Sequence, residues 1–360
     1  MKVRLILLIF IVSCTFLFGQ DDTKAPKYSN EFLSIGIGSR PLAMGNSVVA
    51  SMNDVTSGYW NPSCLTKVSN DLQLGAMHAE YFAGIGKFDY LGAARHIGDS
   101  AAIGISLIRF GVDDIPNTLD LIDSEGNIHY DRIKSFSVSD FAFIFSYAMN
   151  SKIPGLKYGA NAKIIRRVVG EFAGSWGFGL DASAQYDYKN WKFGAIARDV
   201  TSTFNAWTFH PETFQDAFLI TGNDIQEKSL EITMPKLILG AARDFRLSDK
   251  FNLLVEADLD LTFDGKRNVV IKGDPVSIDP HMGFEVNYRE IVYFRGGVMN
   301  LQPVPNLDGE NEFTFQPNIG IGLHLFNRLR IDYALTDLGD QSIALYSHVF
   351  SLSYAIDRQQ

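Results

Sequence analysis

The sequence has little cysteine and only one long apolar run. Cys14 and Cys64 are the only cysteines in 360 residues, and Cys14 lies in an N-terminal run that we predict to be removed. The mature chain would then keep a single cysteine, which excludes an internal disulfide. After that first run, no stretch of the sequence provides the roughly twenty apolar residues that a membrane-spanning helix needs. Stability and any membrane crossing must therefore come from another kind of structure.

Positive charge is also scarce. The sequence has 32 Lys and Arg against 41 Asp and Glu, a formal net charge of −9, and loss of Lys2 and Arg4 would make it −11. Such an acidic chain has no electrostatic attraction for the phosphates of nucleic acid. We expect no nucleic-acid partner.

The first twenty residues are typical of a secretory signal peptide. Lys2 and Arg4 precede an apolar run at residues 5–12, and small and polar residues follow at the end of the segment. We therefore predict a signal peptide at residues 1–20 rather than a membrane anchor. Cys14 leaves an alternative open, because the residues before it resemble the site at which lipoproteins are cleaved and acylated; residues 16–18 continue the apolar segment and argue against it.

Glycine and aromatic residues are abundant, and large apolar residues alternate with small or polar ones. The chain has 31 Gly, 27 Phe and 14 Tyr. The clearest alternation begins at Phe251, where one face is apolar and the other carries Glu256, Asp258 and Asp260. A period of two residues is that of a β-strand with two unlike faces.

Counting such segments predicts an all-β fold with fourteen strands. They begin near Leu72, Phe88, Ala101, Asp140, Lys157, Ser175, Trp191, Lys236, Phe251, Met282, Val292, Phe315, Leu329 and Tyr346. An even number lets an antiparallel sheet close with both ends on one side, and closure leaves no unpaired edge in hydrocarbon. Short and long connections also alternate, as expected when the two mouths of the barrel face different compartments. We predict a 14-stranded antiparallel transmembrane β-barrel at residues 71–356, in the outer membrane.

The residues before the first strand do not alternate. A barrel of this size encloses more space than its own side chains fill, so we predict that residues 21–70 form a hatch, or plug, in the lumen. We expect Asp54 to cap a short helical turn in it, and Asn61 and Pro62 to end that turn.

The hatch segment also carries a recognisable motif. Its residues are Gly36, Gly38, Arg40, Met44, Gly45, Asp54, Trp60, Asn61 and Pro62. This pattern resembles the PorV/PorQ family, relatives of the long-chain fatty-acid transporter FadL. The resemblance implies a non-catalytic component of the type IX protein secretion system, with secreted cargo or the translocon as its partner.

The long loops at residues 111–139 and 201–235 are the surfaces that we expect to contact such a partner. The second loop has five large aromatic residues, an apolar load that a partner could cover. They are Phe204, Trp207, Phe209, Phe214 and Phe218.

A FadL-like transporter of hydrophobic small molecules is the alternative function. It predicts a hatch and a lateral gap in the wall that guide an apolar ligand out of the lumen. A lumen tightly filled with polar groups would count against it. A membrane hydrolase is a third possibility, but no serine elbow motif is present.

Glu256, Asp258 and Asp260 could hold a cation or a cationic group of a cargo protein. A solvated wall balanced by inward-facing cations is the interpretation that we favour. The cations are Lys236, Arg289, Arg295 and Arg330. The seven histidines never fall at zinc-ligand spacing, so we expect no metal site and no cofactor.

Overall fold

A computed structural model of the protein describes residues 29–68, 71–123, 125–213, 228–305, 311–338 and 346–357. Within these ranges, sixteen strands form one antiparallel sheet. No helix in them has the length and apolar character needed to cross a membrane. The strands are β1 (Leu72–Tyr81), β2 (Gly86–Ile97), β3 (Ala101–Asn117), β4 (Lys134–Asn150), β5 (Leu156–Val169), β6 (Ala173–Tyr188), β7 (Trp191–Arg198), β8 (Phe204–Phe209), β9 (Lys228–Ile232), β10 (Lys236–Arg246), β11 (Phe251–Thr262), β12 (Ser277–Tyr288), β13 (Val292–Pro305), β14 (Asn311–Leu325), β15 (Leu329–Thr336) and β16 (Ser347–Ile356).

The sheet closes on itself because β1 pairs with β16, with Leu72 opposite Ile356. Strands that are adjacent in sequence pair with each other except around β6. Both β7 and β8 pair with β6; β7 also pairs with β10, and β8 also pairs with β9. One position in the ring is therefore shared by β7 and β8, and the next position by β9 and β10. The closed barrel therefore has fourteen positions, which confirms the predicted fold.

The alternation places opposite properties on the two faces of the wall. On β11, Glu256 and Asp258 are fully buried, while Leu259 on the other face is 42% exposed. Aromatic side chains such as Trp176, at 59% exposure, lie on the outer surface. This is the arrangement of a barrel with a lipid-facing exterior.

Residues 29–68, here called the N-terminal segment, lie against inward-facing side chains of the strands. The segment contains two short helices, α1 (Ser39–Ala43) and α2 (Ser57–Trp60), with 3₁₀ turns at Glu31–Leu33 and Pro62–Lys67. Its apolar side chains supply much of the largest buried cluster. Hydrogen bonds join it to distant strands, for example from Ser39 Oγ to the carbonyl of Val349 at 3.0 Å.

Cys64 is buried within this segment. Burial raises the pKa of its thiol to about 11. Because the thiolate is the reactive form of cysteine, we expect this thiol to be inert while the segment stays in place.

Candidate functional site

The wall of the barrel is interrupted between β7 and β8, and again between β9 and β10. β7 pairs with β6 so that Ala182 lies opposite Ala197. In a continuous register Phe178 would lie opposite residue 201, but it lies opposite Phe204. Three extra residues are thus inserted between β7 and β8. On the neighbouring position of the wall, residues 233–235 separate β9 from β10. In the described ranges β9 pairs with β8 alone, so its other edge carries no strand.

A buried ion network accounts for the break. Lys163 on β5 is 3% exposed, and its Nζ lies 2.7 Å from Asp181 and 2.5 Å from Asp199. Odd-numbered residues of β7 face outward, so a continuous strand would point Asp199 into lipid, where a charge is costly. The chain instead turns at Asp199, which has a φ of 54°, and delivers its carboxylate to Lys163. Gly179 makes room for this, because a Cβ there would lie 1.8 Å from Thr203 Oγ1.

The first described residues of the N-terminal segment cover the interruption from inside. Asn30 Nδ2 donates to Thr233 Oγ1 at 2.7 Å, and Thr233 Oγ1 donates to Ser29 Oγ at 2.9 Å. Asn205 Nδ2 on β8 donates to Asn30 Oδ1 at 2.9 Å. A few side-chain hydrogen bonds therefore close this part of the wall, whereas backbone hydrogen bonds between strands close the rest.

A cavity of about 80 Å³ lies beneath the interruption, with both apolar and charged groups around it. Its lining includes Leu33, Tyr59, Arg198, Met234 and Pro235. The Arg198 guanidinium lies over the Tyr59 ring, with Cζ 4.3 Å from the ring centroid. Its Nε is buried without a hydrogen-bond partner, and no acid in the described ranges forms an ion pair with it.

A second charged network holds α1 in the lumen. Arg40 Nε lies 2.9 Å from Glu285, which also binds Arg295 at 2.6 Å. Arg295 also forms an ion pair with Asp332 at 2.5 Å. Arg40 and Arg330 also line a polar cavity of about 830 Å³ that reaches residues of the short turns. This cavity therefore lies at the short-turn mouth, which faces the periplasm in barrels of this kind.

The motif glycines shape the N-terminal segment. Gly36, Gly38 and Gly45 have φ values of 93°, 86° and 60°, where a side chain causes strain. A Cβ at Gly36 would lie 2.9 Å from the Trp60 ring, and one at Gly45 would lie 2.8 Å from the backbone nitrogen of Val298. Met44 is fully buried. These residues are structural: they allow the segment to pack closely on itself and on the wall.

The remaining motif residues shape the turns around α2. The N-cap of α2 is Thr56, and Asp54 lies two residues earlier, where its Oδ1 accepts a hydrogen bond from the Thr56 backbone nitrogen at 2.8 Å. Asp54 therefore caps the turn that precedes the helix. Asn61 ends α2, and Pro62 begins the next 3₁₀ turn. Asn61 Nδ2 also donates to the carbonyl of Val49 at 2.7 Å.

The three acids of β11 do not form the solvated wall that the sequence suggested. Glu256 and Asp258 are fully buried, and they accept hydrogen bonds from backbone N–H groups of the N-terminal segment. Asp260 pairs with Lys236 and with a histidine. Arg289 was expected to balance them, but it lies exposed beside the Tyr288 ring at a short turn. Alternation predicted the inward face correctly but could not show that a second segment supplies the donors.

The predicted aromatic loop at residues 201–235 is not a free loop throughout. Phe204, Trp207 and Phe209 lie in β8, so they belong to the wall rather than to a free loop. Phe204 is exposed, whereas Trp207 is half-buried and donates through Nε1 to Glu231 at 2.9 Å. Phe214 and Phe218 lie outside the described residues.

Comparisons with known proteins bear on the fold. No protein-family model and no curated protein matches the chain. Among solved structures, the toluene transporter TodX of P. putida matches with 11% identity over 90% of this chain and 99% of that chain, with a TM-score of 0.54. The CymD monoaromatic hydrocarbon channel matches with 15% identity over 91% and 99%, with a TM-score of 0.58. A FadL homologue of Pseudomonas aeruginosa matches with 11% identity over 88% and 97%, with a TM-score of 0.50.

This chain has the fold of an outer-membrane β-barrel. The identities are low, so the likeness shows the fold alone, and the outer surface of such a barrel contacts lipid. Nothing in these comparisons bears on type IX secretion.

Sequence reasoning missed three residues at the interruption of the wall, namely Lys163, Arg198 and Asp199. Asp199 gave a signal, because it continues the outward-facing positions of β7 with a charge. Within the ranges that the structure describes, no group of three or more His, Cys, Asp and Glu side chains could hold a metal ion.

Proposed function

We propose that this outer-membrane barrel transports hydrophobic small molecules, which pass sideways through the interruption of the wall. The observation that carries the proposal is the position of the interruption. It lies directly over a cavity, and side chains of the N-terminal segment cover it instead of a strand. A lateral gap guarded by a hatch is the arrangement that a transporter of this kind requires.

The cavity is closed to a ligand in the conformation described. A cavity of about 80 Å³ is smaller than the roughly 150 Å³ of a cavity that binds benzene, so a hydrocarbon must displace part of its lining. Residues 29–34 are held to the wall by hydrogen bonds of Asn30 with Thr233 and Asn205. Their displacement would join the apolar groups Leu33, Met234 and Pro235 into a path to the lipid.

The solved structures support this proposal at the level of fold. TodX is named as a toluene transporter and CymD as a monoaromatic hydrocarbon channel. Both cover nearly the whole of this chain. Neither is named as an enzyme, in keeping with the expectation of a non-catalytic barrel.

A reversible lock tests the proposal. In a Cys64→Ala background, Asn30→Cys with Thr233→Cys places two thiols where the present side chains hydrogen-bond at 2.7 Å. Oxidation should tie the N-terminal segment over the interruption. We expect uptake of radiolabelled toluene by expressing bacterial cells to fall about tenfold on oxidation and to return on reduction.

The control is the single variant Asn30→Cys under the same oxidant, which should transport at a constant rate. Equal uptake by the locked and the reduced pair would refute lateral transport at this site. Disulfide formation is checked separately by gel mobility, so a failed lock is distinguishable from a failed proposal.

A type IX secretion role is the second candidate, and one observation favours it. The segment that carries the PorV/PorQ-like motif is held inside the wall by ion pairs such as Arg40–Glu285. A polar interior suits a barrel that acts through its outer surfaces better than one that admits an apolar solute.

The structure changes how that role should be tested. Deleting residues 201–235 would remove β8 and β9 from the wall, so the deletion should be limited to residues 214–226. A barrel that folds but loses secretion proteins from a mild-detergent pull-down would support this role. An unchanged set of co-purified proteins would argue against it.

A further inference from the structure

Three consecutive backbone N–H groups of the N-terminal segment are held by two carboxylates of the wall. Val48 and Val49 donate to Asp258 Oδ2 at 2.9 and 3.1 Å, and Ala50 donates to Glu256 Oε1 at 2.6 Å. Both acids face inward from β11 and are fully buried. Outside helices, a run of three adjacent N–H groups bound in this way gives the segment a directed attachment to the wall.

The facing wall is shaped to admit the backbone of these residues. A Cβ at Gly194 on β7 would lie 2.4 Å from the carbonyl oxygen of Val49 and 2.8 Å from Cα of Ala50. A Cβ at Gly240 on β10 would lie 2.4 Å from Asp258 Oδ1. The two glycines therefore provide the space in which residues 49–50 contact the sheet.

The attachment lacks a counter-cation. No Lys, Arg or His in the described ranges forms an ion pair with Glu256 or Asp258; the nearby cations Arg40 and Lys192 pair with Glu285 and Asp244 instead. One oxygen of each acid, Glu256 Oε2 and Asp258 Oδ1, is buried without a hydrogen-bond partner. Two acids buried side by side without a counter-ion would both gain hydration if the segment moved away.

We propose that Glu256 and Asp258 form a releasable latch for residues 48–50 of the N-terminal segment. In the closed state the carboxylates satisfy the three N–H groups. In the open state water hydrates both acids, the N–H groups are solvated, and the space that residues 48–50 occupied joins the neighbouring cavity of about 830 Å³, which Ser51 and Asn53 already line. The latch does not depend on what the barrel transports, and its test uses no transported solute.

Thiol labelling measures the release. Ser47 is fully buried beside the latch, so Ser47→Cys in a Cys64→Ala background should react slowly with a water-soluble maleimide. Glu256→Ala with Asp258→Ala leaves three buried N–H groups without acceptors, and we expect labelling to accelerate at least about tenfold. The same variant should conduct ions in planar lipid bilayers where the parent is closed.

Asp140→Ala is the matched control. Asp140 is also a buried, inward-facing acid, but it pairs with Arg167 and not with the N-terminal segment. Its loss should leave the labelling rate of Ser47→Cys unchanged. Acceleration by this control equal to that of the double variant would overturn the latch, because any buried acid would then have the same effect.

A second variant reaches the latch without touching either acid. Gly194→Ala adds a methyl group where the Val49 backbone lies, and it should also accelerate labelling. If the double-alanine barrel does not fold, judged by heat-modifiable gel mobility, Gly194→Ala decides the outcome. Folded barrels that label and conduct like the parent would refute the latch, whether or not hydrocarbon uptake occurs.

Discussion

The walls formed by β3–β4 and by β7–β10 share one sheet but differ in continuity. β3 and β4 have 17 residues each and stay paired along their length, with a single shift of register between Val112 and Ile115. β7 has only 8 residues before the chain turns inward at Asp199. The outward positions of β3 and β4 stay apolar through the middle of the wall, whereas the outward run of β7 ends in a carboxylate.

The difference shows that one inward-turned charge can decide where a barrel wall stops. A strand tolerates an extra residue as a bulge when its outward face stays apolar and its inward face stays polar. It does not tolerate a carboxylate pointed at lipid when a buried lysine is available on the other side. The ion network of Lys163 therefore stabilises the interruption.

Loss of Lys163 should have the largest effect on the interrupted wall. Lys163→Met leaves Asp181 and Asp199 buried without their cation, and breaking a buried pair costs about 3 to 5 kcal/mol. We expect the free energy of unfolding in urea to fall by that amount. Arg246→Ala, which breaks the exposed Arg246–Asp249 pair at a short turn, should change it by less than about 1 kcal/mol. Equal losses in the two variants would contradict the role of the network.

Removing the insertion should make the interrupted wall resemble the continuous one. Deletion of residues 200–202 would align β8 with β7 in one register on β6, since the offset between them is three residues. We expect a folded barrel with toluene uptake reduced about tenfold, and slower proteolysis near residue 199. Undiminished uptake would show that the interruption is not the exit.

Arg198 tests the contact between the interrupted wall and the N-terminal segment. Arg198→Ala removes the stacking on Tyr59 and Trp60, and cation–π contacts of this kind contribute roughly 1 to 2 kcal/mol. The unfolding free energy should fall by that amount. Arg198→Lys keeps the charge but loses the planar stacking, so it should recover only part of the loss.

The bulge of the continuous wall should give the smallest effect. Asp114 lies in the register shift between β3 and β4 with a φ of 58°. Asp114→Gly removes the strain of that conformation but adds backbone freedom to the unfolded chain, so we expect a change within about 1 kcal/mol. A larger change in urea unfolding would mean that this wall depends on its bulge as the other depends on its interruption.

Alternation was enough to predict the barrel, because the pattern of each strand is local. The predicted starts at Leu72, Ala101 and Trp191 match the structure, and β4 begins earlier than expected, at Lys134 rather than Asp140. Alternation predicts the ends of strands less well. Polar residues beyond the lipid continue the hydrogen-bonded pairing of two strands without continuing the alternation of apolar and polar residues.

The candidate site was not predictable in the same way. The role of Asp199 depends on Lys163, which is 36 residues away in sequence, and the partners of Glu256 and Asp258 are backbone N–H groups that have no side-chain signature. The motif residues of the N-terminal segment were recognised, but recognition did not show that Gly36 and Gly45 act by allowing close contacts. Long-range pairs and backbone donors are the features that periodicity cannot show.

The position of the N-terminal segment also constrains how the molecule is assembled. The segment is followed directly by β1, and its Ser39 hydrogen-bonds to Val349 and Ser351 of β16, the strand that meets β1 at the last seam. The backbone nitrogen of Gly38 also donates to Met77 of β1, so the segment contacts both strands of the seam and should favour their pairing. A part of the chain that precedes β1 would thus help to align the last strand with the first.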